Sequence, residues 1–294
     1  MADQDWLADR FEEQRAHLRS VAYRMLGSLT EADDAVQDAW LRLSRSGAGE
    51  VENLQAWLTT VVARVCLNAL RSRNVRREEA LPVHVPDPVV ASPEEQAILA
   101  DSVGLALLVV LDTLTPAERL AFVLHDMFQL PFEAIAPMVG RTPVATRQLA
   151  SRARRRITGA DVPAPDTDLA RQHKVVDAFF QAARAGDFDA LVALLDPAVV
   201  LRLDAGAAPS SASMVRSGAA VVARQALRGL RSALPGAEIR PAVVNGAAGV
   251  VVTVGGRPVT VMGFTVAGGR IVEIDAIADP ERVARLATTG FAGE

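Results

Sequence analysis

The sequence predicts a multidomain protein: two all-α blocks followed by an α+β domain. Three observations predict it. Apolar residues recur at helical spacing over 6–73 and again over 94–158. Stretches rich in proline and polar residues at 74–93 (NVRREEALPVHVPDPVVASP) and 159–167 separate the blocks and read as linkers. Beyond 168 the helical period gives way to alternation of period two. A chain of 294 residues is long enough for this organisation, and with half its residues hydrophobic it reads as globular. No apolar run approaches the ~18 residues a membrane span needs. The N-terminus is acidic and amphipathic, unlike a secretory leader, so the expected location is the cytoplasm. Cys66 stands alone, which excludes an internal disulfide and a cysteine-rich zinc site; between Val65 and Leu67 it reads as a buried, inert thiol.

In chain order, Phe11, Leu18, Val21, Ala22 and Met25 mark the inner face of a first helix. Thr30 is a good N-cap for a second, with acidic residues in its first turn. SGAGEVEN at 46–53 is a loop, and a third helix runs from about Leu54 to Arg73. Thr115-Pro116-Ala117-Glu118 carries Thr at N-cap, Pro at N1 and Glu at N3, a capping-box start. Two helices are expected at 168–184 and 187–195. AVVLRLD, GVVVTVGG, RPVTVMGFTVAGG and RIVEIDAIA read as strands of a mostly antiparallel sheet, with Gly268-Gly269 a hairpin turn. A helix over 214–229 interrupts them, and 280–287 closes the chain.

Net charge is −4, yet RTPVATRQLASRARRRI at 141–157 holds six arginines and no acid. PFEAIAPMV, the turn at Gly140-Arg141, the N-cap Thr142 and Pro143 make it the second half of a helix-turn-helix. Thr146, Leu149, Ala150, Ala153 and Ile157 form its packing stripe. Arg147, Gln148, Ser151, Arg152 and Arg155 lie opposite. That face is either solvated or meets a polyanion. An ordinary basic face interleaves Glu with Arg, whereas Arg with Gln suits guanine and adenine edges in a major groove. A second basic block, Arg64, Arg71, Arg73, Arg76 and Arg77, lies on and after the third helix, where Thr60, Arg64, Asn68 and Arg71 share one face. An acidic block holds Glu31, Asp33, Asp34 and Asp38.

SVAYRMLGSLTEADDAVQDAWLRL, followed by NLQAWLTTVVARVCLNALRSR, resembles region two of extracytoplasmic-function (ECF) RNA polymerase sigma factors, and residues 94–158 resemble their region four. The resemblance implies a sigma region 2 at 6–73, a linker at 74–93, a sigma region 4 at 94–158 and a second linker at 159–167. It implies docking on core polymerase through Asp33, Asp34, Gln37, Asp38 and Trp40. It implies reading and opening of the −10 element by Asn53, Trp57, Thr60, Arg64, Asn68 and Arg71, and reading of the −35 element by Arg141, Thr142, Arg147, Gln148, Ser151, Arg152 and Arg155. Asn53 either captures a flipped base or caps the helix; Trp57 is either a stacking platform or a core tryptophan. With polymerase supplying most phosphate contacts, only local basic patches are needed, which accounts for the acidic remainder.

Residues 168–290 resemble a SnoaL-like α+β cone domain, as fused to sigma factors of the mycobacterial sigma J group. DAGAA at 204–208 stands for that group's Asp-Gly-Gly-Gly run and ADPERVARL at 278–286 for its Asn-Pro-Asp-Lys-Leu motif, which implies regulatory roles for Asp204, Gly206, Asp279 and Pro280. The group's linker motif Trp-Leu-Pro-Glu-Pro survives as LPVHVPDP, without its tryptophan. An isomerase of this fold needs a base in an apolar pocket with an oxyanion donor. Here Arg202 and Asp204 share a strand face, Glu273 and Asp275 read as exposed, and no histidine follows His173. The expectation is a regulatory module and no enzyme, with no cofactor and no metal, and a small-molecule ligand as a further possible partner beside core polymerase and promoter DNA. The rival reading is a helix-turn-helix regulator with a ligand-sensing or enzymatic (isomerase- or cyclase-like) C-terminal domain.

Overall fold

Local capping decides where the first helices begin. Gly27 takes φ 70° after α1 (Ala2–Leu26), and Ser28 then caps α2 (Leu29–Ser46), its hydroxyl 3.5 Å from the Glu31 N–H. The cap is therefore Ser28, two residues before the expected Thr30, because the glycine ends the preceding helix at once. The structure, a computed structural model, describes residues 2–46, 53–76, 83–91, 104–159, 165–206, 213–231 and 236–290. Contacts divide the chain into two units: Met1–Ala80 with Val110–Ala160, and Leu81–Val109 with Asp161–Glu294. The block expected at 94–158 is thus split between Val109 and Val110; its first ten residues lie outside the described ones.

In the first unit, α1, α2 and α3 (Leu54–Arg76) pack together through Phe11, Leu18, Val21, Met25, Leu43, Leu58, Val62 and Leu67, all but fully buried. Cys66 is buried there, and burial pushes its thiol up to about 12, which makes it inert at neutral pH. α4 (Leu105–Asp112) runs across the division at Val109 and Val110, and α5 (Pro116–Phe122), a π-helical turn (Val123–Met127), α6 (Phe132–Val139) and α7 (Pro143–Gly159) follow in the first unit. The capping box at Thr115 forms as expected, with both reciprocal bonds made. α5 packs on α3 and α7. Arg119 is 2% exposed; it pairs with Asp112 at 2.6 Å and donates to the Arg24 carbonyl at 3.2 Å, tying α5 to α1.

The second unit is α+β. Among the described residues, seven strands form one sheet in the order β1 (Val90–Ala91), β4 (Ala237–Val244), β5 (Ala247–Val254), β6 (Arg257–Ala267), β7 (Arg270–Ile277), β2 (Leu195–Asp204), β3 (Met214–Ser217). All pairs are antiparallel except β2 with β7. α8 (Leu169–Ala185), α9 (Phe188–Leu194) and α10 (Ala219–Arg231) bury Val176, Phe179, Phe180, Leu191 and Val222 against Leu201, Val250, Phe264 and Ile274 of the sheet. α11 (Pro280–Gly290) packs against β6 and β1.

Three expectations need correction. Residues 214–217 are an edge strand and not the start of a helix; Gly218, at φ 91°, separates them from α10. The strand β4 was not expected, because Pro241 and alternating charges mask AEIRPAVV; Asn245-Gly246 closes its hairpin with β5, both at positive φ. Glu273 and Asp275 are buried, not exposed: β7 is an interior strand whose residues from Ile271 onward are all buried. Arg202, one strand away, holds both, at 3.1 Å to Glu273 and 3.0 Å to Asp275.

One guanidinium thus serves two buried carboxylates. Burial, with the neighbouring Glu273 charge adding to it and Arg202 opposing, pushes Asp275 up to about 6. A carboxyl raised on folding ionises first in the unfolded chain, so it favours the folded state below its unfolded value near 4 and loses that contribution as pH rises through 6. Two units correspond to about 3 kcal/mol as an upper figure. We expect denaturant titrations of Asp275→Asn to show a flatter pH dependence between pH 4 and 7 than the wild-type chain; parallel curves would contradict the assignment.

Candidate nucleic-acid and polymerase interface

α2 turns Ala32, Ala35, Val36, Ala39 and Leu43 inward. That leaves Asp33, Asp34, Gln37 and Asp38 exposed on the other side, as a 3.6-residue period requires. Asp33 is engaged by Arg19 of α1 at 2.6 Å. Trp40 is half-buried, its ring 5.1 Å from that of Phe11. Leu41, 41% exposed, extends the face one turn beyond Asp34 and Asp38. Sequence reading missed Leu41; its place three and seven residues after Asp38 and Asp34 was the available signal.

On α3 the side chains of Arg64, Asn68 and Arg71 are exposed, and Trp57 and Thr60 are half-buried on the same side. The Asn53 side chain accepts the Ala56 N–H at 3.0 Å, so it caps α3. Its side-chain NH2 is not used by that bond. Arg73 is structural: it pairs with Glu31 and donates to the Leu26 carbonyl at 2.9 Å. The side chain of Arg76 and all of Arg77 lie outside the described residues.

The helix-turn-helix is built as its residues require. Gly140 takes φ 68° after α6, a left-handed cap that a Cβ would strain. Thr142 then caps α7, accepting from Ala145 N at 3.2 Å. Thr146, Leu149, Ala150 and Ala153 are buried; Arg141, Thr142, Arg147, Gln148, Ser151, Arg152 and Arg155 are exposed. The acids absent from α7 itself come from the α5 side: Glu118 binds Arg152 at 3.2 Å and Arg156 at 2.7 Å, and Asp126 binds Arg154 at 2.6 Å. Burial raises the Glu118 carboxyl, but Thr115, Arg156 and Arg152 outweigh it and hold it below the usual range. Arg147 lies over the Phe132 ring at 5.4 Å. Among the described residues no acid pairs with Arg141, Arg147 or Arg155. The cationic face not relieved by acids is therefore Arg141, Arg147 and Arg155 beside Gln148 and Ser151. Val144, 68% exposed one turn before Gln148, adds a methyl-bearing surface at the N-terminal end of α7. The signal for it was its position off the packing stripe.

In the second unit Asp204, Gly206, Asp279 and Pro280 come together. Asp279 caps α11 through Glu281 N at 2.9 Å and Arg282 N at 3.0 Å, with Pro280 at the first helical position. Gly206 takes φ 67°, and a Cβ there would run into the Asp279 carboxylate. The Asp204 carboxylate, 2% exposed, accepts from Gly206 N at 3.0 Å, Val85 N at 3.0 Å and Arg282 at 2.7 Å. Arg282 also reaches Asp87 at 2.7 Å and the Val85 carbonyl at 2.5 Å. Residues 83–91 are thus a strap and no free linker: Val85 and Val90 are buried, and Val90-Ala91 pairs with Val243-Val244 as β1. The sequence reading did not single out Arg282 or Asp87.

Family models match at residues 11–76, Sigma-70 region 2, and 104–157, Sigma-70 region 4. A Mycobacterium tuberculosis protein, ECF RNA polymerase sigma factor SigJ, is 41% identical over 218 residues, 72% of this chain and 70% of that one. Another from the same organism, named Probable ECF RNA polymerase sigma factor SigI, is 39% identical over 210 residues, 70% of this chain and 72% of that one. The crystal structure of M. tuberculosis SigJ superposes with a TM-score of 0.75 at 33% identity, covering 97% of this chain and all of that one. Two region-specific matches in the right order, relatives over most of the length and a shared fold give one conclusion: the chain belongs to the ECF RNA polymerase sigma factor family.

Proposed function

We propose that the chain acts in the cytoplasm as a promoter-specificity subunit. It docks on core RNA polymerase through Asp34, Gln37, Asp38 and Leu41 of α2, opens and reads a −10 element with α3, and reads a −35 element with α7. The observation that carries this is the exposed acidic and apolar face of α2, in the same unit as two cationic helix faces. A repressor needs the cationic faces and has no use for the acidic one. The second unit is a regulatory module without catalytic chemistry. Its strap, residues 83–91, is the stretch of chain between regions two and four, so whatever holds or frees the strap bears on how far those regions separate. Elements 25 base pairs apart stand roughly 85 Å apart at 3.4 Å per pair. A unit the size of the first has a radius of gyration of about 14 Å. Reading both elements at once therefore requires the packing of α5 on α3, and the bond from Arg119 to the Arg24 carbonyl, to open.

Thymines of a −10 element should become permanganate-reactive only when core and this chain are both present; unchanged reactivity would contradict the reading. Val144 should read a thymine methyl in the −35 element. Losing about one buried methyl's worth of contact, ~0.8 kcal/mol, corresponds to about fourfold. Val144→Ala should lower thymine preference at one position by that factor and leave affinity for other sequences unchanged. Uniform weakening across sequences would assign Val144 to packing instead.

A further inference from the structure

Between α8, α10 and the sheet lies a cavity of about 650 Å³. Its walls are apolar: Phe179, Phe180, Leu201, Met214, Val222 and Ile274 are typical. Protein interiors pack like organic crystals and leave few voids larger than a water molecule, so this space is not a packing defect. Apolar cavities of this size take drug-sized organic guests. The buried acids of the sheet do not reach it. Leu201 and Leu203 line it, so Arg202 between them points to the opposite face, as do its partners Glu273 and Asp275 on either side of the lining residue Ile274. Among the described residues the lining contains no carboxylate, histidine or tyrosine, and one charged group, Arg184.

Arg184 sits in the last turn of α8 with its side chain exposed. Among the described residues no acid pairs with it. Gln225 and Thr260 are also in the lining and add neutral hydrogen-bonding groups. An apolar body with one anionic head satisfies this arrangement: the walls take the body, and the guanidinium takes a carboxylate with two parallel bonds. A cationic guest meets Arg184 with like charge, and a strongly polar one leaves its groups unpaired against aliphatic walls.

We propose that the second unit binds one amphiphile of the fatty-acid class, chain inward and carboxylate at Arg184. The inference is independent of the sigma reading, because binding is read on the free chain. The test is a fluorescence titration of the full chain with cis-parinaric acid and with its methyl ester. The expected result is saturation at one acid per chain. Ala226→Phe, which fills the cavity from α10, should weaken acid and ester alike by at least tenfold. Arg184→Glu, at an exposed position that does not threaten folding, should weaken the acid at least fivefold and leave the ester unchanged. No saturable binding of either probe, or binding unaltered by both variants, overturns the proposal. Equal loss of acid and ester in Arg184→Glu overturns the assignment of the head group.

Discussion

Reversing both charges in Asp34→Arg/Asp38→Arg is expected to lower affinity for core polymerase by at least a hundredfold and to abolish promoter-dependent transcription. Like charges brought together at a docked surface cost several kcal/mol, and about 2.7 kcal/mol is already a hundredfold. Both side chains are exposed on the side of α2 away from Ala35, Ala39 and Leu43, so the helix keeps its packing face. Asp33 is left alone because reversing it would repel Arg19 and disturb the α1–α2 contact. Core binding is measured by anisotropy of the labelled chain, and folding by circular dichroism. Full core binding by a folded double variant would contradict the docking assignment.

Arg282→Ala is expected to have the largest effect on the second unit. The guanidinium joins two buried carboxylates, Asp204 and Asp87, and one carbonyl of the strap. Removing it leaves the buried carboxylates of Asp204 and Asp87 without their shared cation. Loss of one partner from a buried pair costs about 3–5 kcal/mol. Hydrogen exchange at the Val85 and Val89 amides, bonded to the side chains of Asp204 and Asn245, should accelerate before the rest of the sheet. Unchanged protection would mean that β1 alone retains the strap. The substitution is also a cleaner probe of regulation than cutting the chain after residue 160. A cut would strip the strap of its sheet and bare Val83, Val85, Val90 and Leu105, all buried here.

What the sequence made legible was local. The capping box at Thr115, the left-handed Gly140, the cap at Thr142 and the packing stripe of α7 each depend on residues within a turn or two, and all form. So do α8, α9 and the Gly268-Gly269 turn. The faces expected to meet DNA and polymerase were legible for the same reason: a helix with one buried stripe must expose the other. What was not legible depends on distant residues. Glu273 and Asp275 alternate along β7 as solvent-facing residues do, but the strand is interior and the cation that holds them lies 71 and 73 positions earlier. Arg282 meets Asp87 across 195 residues, and no short-range pattern connects ADPERV with VPDP. The unrelieved charge of α7 was misleading in the same way, since Glu118 and Asp126 relieve part of it from the α5 side.

As a member of the sigma factor family, this chain directs polymerase to promoters. Run-off transcription with purified core polymerase tests it most directly, comparing the full chain with Asp34→Arg/Asp38→Arg on a pool of promoter fragments. Discrete transcripts are expected from fragments sharing two spaced elements, dependent on the chain and lost in the variant. No transcript from the wild-type chain, together with no binding to core, would contradict it.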